Sequence, residues 1–330
     1  MLNFNYGFDA AAGPLSEREW KYVDERINWW LQERMTALNL LSVTSIGAGK
    51  MSHEWYKYNE IGNPLFTYTF EEEALVKVTK TPTRDKLIGI RIDFEISKLE
   101  IDANGKYEAQ SVDAGMKKMD QFIDRAIYRG TDVKDVRAEQ GTGASVLGIF
   151  NATNAQTLGG SGSGAGNDDD MSVEGDYPIT IKRMIVKLVK RDHYGPYDLI
   201  MSNGSYLQSI TNKSTTTGLN DLEEIMRIPA PQAVIIPGQA IPPAIKKIVV
   251  TPNILNATET NTNGEMCLFD NLQENIDLLV NYPPTRINLF NGGLTTRLTQ
   301  QFAMITGLVV RVRRPTAICI TVTLTNSVMA

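Results

Sequence analysis

The chain has 330 residues, 42% of them hydrophobic and 22% charged, with 33 Lys and Arg against 38 Asp and Glu, for a formal net charge of −5. That length can bury a large core, or two moderate ones, without disulfide or metal support. The acidic balance excludes a nucleic-acid-binding surface over the whole molecule but permits a local basic patch. The two cysteines, Cys267 and Cys319, sit in apolar, strand-like sequence and read as buried and reduced.

The first residues, MLNFNYGFDAAAG, have no basic n-region and no continuous apolar stretch, so no secretory signal is expected. The longest apolar runs are of strand length, so no membrane segment is expected either. The sequence reads as that of a protein made and used in a cytoplasm, or in something assembled there.

GPLSEREWKYVDERINWWLQERM (13–35) predicts an amphipathic helix after a short arm. Ser16 and Glu19 form a capping box. Trp20, Val23, Ile27, Trp30 with Leu31, and Leu38 follow at spacings near three and four. Acidic residues offset the basic ones on its polar face, which argues against a lipid surface. Trp29 lies about 100° from the main stripe and is the candidate contact to a neighbouring chain or to the arm. Trp29→Ala is expected to spare folding and weaken assembly.

Over 51–97 the period changes to two. Phe66, Tyr68 and Phe70 alternate, VKVTK continues the pattern, and Ile88, Ile90, Ile92, Phe94 and Ile96 alternate again. TPTRDK (81–86) reads as the polar turn between these runs. The segment is either a long projecting hairpin with too little apolar material for its own core, or a hairpin in an ordinary sheet. DANGK (102–106) is a turn that lacks the later acidic ligands of a calcium loop. A helix of about five turns is predicted from Ser111, with Val112, Met116, Met119, Ile123, Ala126 and Ile127 on one face. Gly130 serves as its left-handed stop.

Residues 138–175 are rich in Gly, Ser and Asp and read as a surface loop or linker. GTGASVLG is not a dinucleotide fingerprint, because Val146 occupies the third glycine's place, and Asp168–Asp170 reads as a solvated loop. A new unit starts near Asp176. It comprises a helix with Pro178 in its first turn, a buried strand over 197–202, two short helices in NGSYLQSI and LNDLEEIMRI, and a strand in KKIVVTP. A further strand pair is read in EMCLFD and IDLLVNY. The segment from TRINLF onward is strand-rich.

No catalytic constellation emerges. His53 and His193 share no metal-ligand spacing with each other or with the cysteines, and the nucleophile-elbow, zincin and phosphate-loop motifs are missing. The carboxylate pairs Glu71–Glu73 and Glu223–Glu224 read as solvated faces. No cofactor is expected. In RVRRP, Arg311, Arg313 and Arg314 form the strongest local charge feature. They fit either a phosphate or nucleic-acid contact or a sheet whose polar face makes ion pairs with a neighbouring element or subunit.

Several stretches, in this order, resemble one family. GPLSEREWKYVDERI resembles the start of a shell's first helix, and DRAIYRG with SVLGIFNA the ending of its spine helix. GPYDLIMSNGSYLQSI resembles the opening of its axial domain, KIVVTPNIL that domain's strand, and FAMITGLVVRVRRPTAICIT the closing strands. The chain is thereby identified as a member of the tailed-phage major capsid proteins, in the encapsulin-like branch. The resemblance implies an α+β fold of the Hong Kong phage type, with an N-arm (1–14), an N-terminal helix (15–50) and an extended β-hairpin loop (51–97). It further implies a peripheral domain with a spine helix (98–150), an axial domain (176–284) and peripheral C-terminal strands (285–330). Residues 151–175, a flexible insertion, and roughly 229–245 are elaborations relative to compact encapsulins.

The implied function is self-assembly through hexamers and pentamers into an icosahedral shell around double-stranded DNA, located in the virion and assembled in the host cytoplasm. The partners are other copies of the chain, the DNA without sequence-specific binding, and portal, scaffolding or decoration proteins. No membrane is involved. The assembly candidates are Trp29, Phe66, Tyr68, Phe70, Arg84, Lys86, Arg311, Arg313 and Arg314. Nothing singles out Lys77, Lys80 or Lys86 for covalent cross-linking. The short stretch before the first helix leads us to expect a separate scaffold or none. The alternatives are an encapsulin shell around a cargo enzyme and an unrelated α/β enzyme or binding protein.

Overall fold

The computed structural model describes residues 36–47, 52–61, 77–97, 110–130, 148–158, 175–215, 217–232, 241–254, 265–288 and 299–321. In chain order these form β1 (Val43–Ser45), β2 (Ser52–Ile61), β3 (Lys77–Lys86), β4 (Ile88–Ser97), α1 (Gln110–Arg129), β5 (Gln156–Leu158) and α2 (Asp176–Val189). There follow β6 (Tyr197–Met201), α3 (Asn203–Thr211), α4 (Asp221–Met226), β7 (Ile245–Val250), β8 (Met266–Asp270), β9 (Ile276–Asn288), β10 (Thr299–Val312) and β11 (Ile318–Thr321).

The helix predicted from Ser111 is α1. Its periodic residues Met119, Ile123, Ala126 and Ile127 are buried, and it stops where Gly130 takes φ 66°, a left-handed conformation that costs a glycine little. The last carbonyls of α1 are capped by a distant loop. Ile149 N donates to Ile127 O, Phe150 N to Tyr128 O, and Asn151 Nδ2 to Arg129 O. Gly148 makes this approach possible, because a Cβ there would lie 2.5 Å from both Tyr128 O and Gly130 N.

A four-stranded sheet runs in the order β1-β9-β10-β4, and a five-stranded sheet in the order β5-β11-β8-β6-β7. One continuous core joins them. Ile123, Ile127, Leu278, Leu308 and Val310 pack in the same cluster as Ile200, Phe269, Ile318 and Ile320. The opposite face of the five-stranded sheet packs under α2 and α4, where Tyr177, Ile181, Met184 and Leu188 meet Leu199, Met201, Ile225 and Leu268. Every residue of β6 and β8 is buried, which explains their continuous apolar sequence.

Several expectations are corrected. TPTRDK is not a turn: residues 81–86 are the second half of β3, paired antiparallel from Lys57↔Thr81 to Ser52↔Lys86. A polar strand suffices here because the ladder needs only backbone groups, and a two-stranded ribbon leaves much of its surface wet. The alternating Ile88–Ser97 leaves this ribbon and pairs with β10. EMCLFD and IDLLVNY are both strands but not partners, since the turn after Asp270 carries the chain from one sheet to the other. The closing strands are likewise divided: β10 lies in the four-stranded sheet, whereas β11 returns to the five-stranded one between β5 and β8.

The glycine-rich stretch is not wholly loose, because residues 156–158 form β5, parallel to β11. The helix expected through Leu38 has given way to a turn at residues 36–40, where Leu38 is half-buried against the main core. The earlier part of that helix lies outside the described residues. In β9, Pro283 and Pro284 cannot donate to the ladder, and the register with β10 shifts between Ile305 and Gly307 at that point.

Candidate assembly surface and its supporting ion pairs

The alternation Val310, Arg311, Val312, Arg313 places the two arginines on one face of β10, and antiparallel pairing sets Arg311 directly opposite Asp277 of β9. Arg311 grips that carboxylate with both arms of its guanidinium, Nε donating to Oδ1 at 2.7 Å and Nη2 to Oδ2. Thr44 Oγ1 of β1 donates to the same Oδ2 at 2.9 Å, and Arg313 Nη2 adds a weaker bond at 3.3 Å. Asp277 is fully buried and the Arg311 side chain is 5% exposed. Of the two readings of RVRRP, the internal ion pair therefore holds for Arg311: its charge is used within the chain. Arg313 is 36% exposed at the side chain, and Arg314 is exposed.

A second buried ion pair closes the end of α1. Arg129 Nη2 meets Glu265 Oε2 at 2.7 Å, its Nε donates to Ile254 O at 2.6 Å, and the guanidinium lies 4.8 Å from the ring centre of Phe150. Sequence reading treated Arg129 only as the residue before the stop glycine. The available signal was its place one turn beyond Arg125, next to the buried face of a helix that the 148–151 loop covers.

The turns that carry the chain between sheets meet at His193. Its Nε2 lies 3.0 Å from Thr316 Oγ1, and its Nδ1 lies 3.7 Å from Asp270 Oδ2. Among the described residues no group of three His, Cys, Asp or Glu could hold a metal ion, and no described helix is long and apolar enough to cross a membrane. Burial pushes the Cys319 thiol up to about 12 and holds the Cys267 thiol well above its ordinary value. The two lie on neighbouring strands but face opposite cores, Cys267 the shared one and Cys319 the one under α2. Glu223 belongs to the capping box of α4, and Glu224 accepts from Thr217.

The remaining candidates are dispersed. Arg84 on β3 sits opposite Glu54 on β2, Nε to Oε1 3.9 Å, both largely exposed. Lys86 ends β3 opposite Ser52. Trp29, Phe66, Tyr68 and Phe70 lie outside the described residues. The ribbon β2–β3 joins neither core sheet. Its two ten-residue strands, about 33 Å long, pair with each other, and the clearest approach to the rest of the molecule is at β10.

Residues 8–251 match the family model described as encapsulating protein for peroxidase. The chain belongs to this family. No curated protein matches it in sequence. Its fold is that of the tailed-phage major capsid proteins and encapsulins. The virus-like particle from Pyrococcus furiosus superposes with TM-score 0.60 at 14% identity over 93% of this chain and 100% of its own. The capsid of the Myoviridae phage XM1 gives 0.60 and 14% over 87% and 91%. The holo-SrpI encapsulin complex from Synechococcus elongatus gives 0.54 and 12% over 90% and 89%. The role that goes with this family and fold is structural: the chain is a shell-forming protein.

Proposed function

We propose that the chain is the major capsid protein of a tailed phage, assembling through hexamers and pentamers into an icosahedral shell that encloses double-stranded DNA. The observation that carries a shell role at the level of residues is the β2–β3 ribbon, a two-stranded sheet that joins neither core sheet. An isolated ribbon of this kind is marginal in water, so a neighbouring subunit is its natural support. In this reading the ribbon is the extended loop. The peripheral domain takes α1 with β1, β4, β9 and β10, and the axial domain takes the five-stranded sheet with α2, α3 and α4. Phe66, Tyr68, Phe70, Arg84 and Lys86 then meet the next subunit along the ribbon, and Trp29 meets a neighbour or the arm.

Rings of such heterologous contacts close by rotation, and many weak contacts sum through multivalency. An acidic chain whose Arg311 is tied to Asp277 suits a container that holds DNA without gripping it. What supports a phage over a compact encapsulin is that several of the solved structures this chain resembles are phage capsids, while the SrpI encapsulin resembles it over a similar share of the chain. The second reading, an encapsulin around a cargo enzyme, is favoured by the printed description of the family.

Electron microscopy of particles from the producing cells, with assay of their contents after nuclease treatment, tests both. Nuclease-protected double-stranded DNA in a shell with one distinct vertex is expected. Particles filled with a protein cargo and no DNA would favour the encapsulin, and a monomer under every salt condition would overturn both.

A further inference from the structure

Arg313 holds a charge that the subunit leaves largely unused. Among the described residues its one ionic contact, at 3.3 Å, is to an oxygen of Asp277, and that oxygen already accepts from Arg311 and Thr44. Its Nε is buried and has no partner. The side chain forms one wall of a shallow depression whose other walls are Leu272, Gln273 and Glu274. This depression lies where the β8–β9 turn and the β10–β11 turn meet, since Arg313 N and Arg314 N both donate to Asn275 O. Gln273 Nε2 reaches Thr44 Oγ1 at 3.4 Å, so the edge strand β1 borders the same corner. The rim is apolar on one side, where Leu272 is 46% exposed.

We infer that this corner is a contact site for a carboxylate carried by a second copy of the chain, with Arg313 as the receiving group. The inference deepens the shell reading and rests on it. Charge complementarity selects the occupant. A planar guanidinium that makes one weak bond to Asp277 has the donor geometry to bind a carboxylate as well, and a chain of net charge −5 carries more carboxylates than cations. A nucleic-acid backbone fits less well, because the exposed Leu272 calls for an apolar cover that a sugar-phosphate chain does not give. A half-exposed arginine flanked by aliphatic groups is the kind of residue that anchors protein interfaces.

The experiment compares the full chain with Arg313→Gln and Arg313→Lys. Arg313→Gln is expected to raise the concentration needed for particle formation, read by sedimentation, about tenfold, while its melting midpoint as a dissociated subunit stays within about 2 °C of the parent's, because Asp277 keeps Arg311 and Thr44. Arg313→Lys supports a zero-length carbodiimide cross-link. In particles assembled from mixed isotope-labelled and unlabelled chains, mass spectrometry is expected to find lysine 313 of one chain joined to an Asp or Glu of another. Assembly of Arg313→Gln at the parent's concentration overturns the contact and leaves the shell reading standing. Should Arg313→Gln fail to fold, the cross-link decides: linkage only within one chain, or none, overturns the contact. A parent that forms no particle overturns the shell reading and this contact together.

Discussion

The block formed by the two core sheets and α1 and the β2–β3 ribbon are both built of long strands, yet they are held together by different means. In the block, β6 and β8 are buried at every residue and two buried arginines are each paired to a carboxylate. In the ribbon, the ion pair between Arg84 and Glu54 is 66% and 75% exposed, and the two strands are joined by an antiparallel backbone ladder. The block is tied together by buried contacts, whereas the ribbon, in the shell reading, takes its support from a neighbouring subunit. Mutations should separate the two by size of effect.

The largest effect belongs to Asp277→Ala. It strands Arg311 in the interior without its carboxylate, and is expected to lower subunit stability by about 3–5 kcal/mol in denaturant unfolding. Gly148→Ala comes next: the new Cβ would collide with the backbone at Tyr128 and Gly130. Forcing the capping loop off α1 should cost about 3 kcal/mol, with a matching drop in melting midpoint. Asn220→Ala removes the capping box of α4, where Asn220 accepts from Glu223 N at 2.8 Å and Glu223 Oε2 accepts from Asn220 N at 3.3 Å. About 1 kcal/mol should be lost in the same assay.

Asp198 sharpens the comparison through pH. Burial raises its carboxyl above the ordinary 3.8, against the hydrogen bond from Asn271 and the nearby Lys247. A raised folded value means that its contribution is fully present below about pH 3.8 and is lost as pH rises through the raised value. Asp198→Asn should flatten that fall, so that the variant loses less stability than the parent between pH 4 and pH 7, by under about 1 kcal/mol. The smallest effect on the subunit is Arg84→Ala, within about 0.5 kcal/mol, with any larger change confined to particle formation. A fall in subunit stability as large as that of Asn220→Ala would break the distinction between block and ribbon.

What could be read in the sequence follows the same division. Helix α1 and its glycine stop were legible because a 3.6 period and a left-handed cap are local properties, and the runs of β6 and β8 because burial at every residue favours apolar sequence. TPTRDK was misread because proline, aspartate and lysine commonly signal a turn, whereas here they stand in an antiparallel ladder made by backbone groups. Strands β8 and β9 are close in sequence but not partners, and only three-dimensional pairing reveals that. RVRRP displayed its alternation, but its partner Asp277 lies 34 residues away and is found only through the β9–β10 register. The tryptophan helix and the aromatic run Phe66–Phe70 are assembly proposals on sequence grounds alone.

The position of β11 has a consequence for how the molecule is made. It is the last strand of the described chain, yet it enters the interior of the five-stranded sheet, between β5 and β8. Until residues 318–321 leave the ribosome, β8 has an open hydrogen-bonding edge and β5 has no partner. The shared core is incomplete as well, because Ile318 and Ile320 belong to it. An unfinished chain therefore exposes an open strand edge and an incomplete core until synthesis passes this strand.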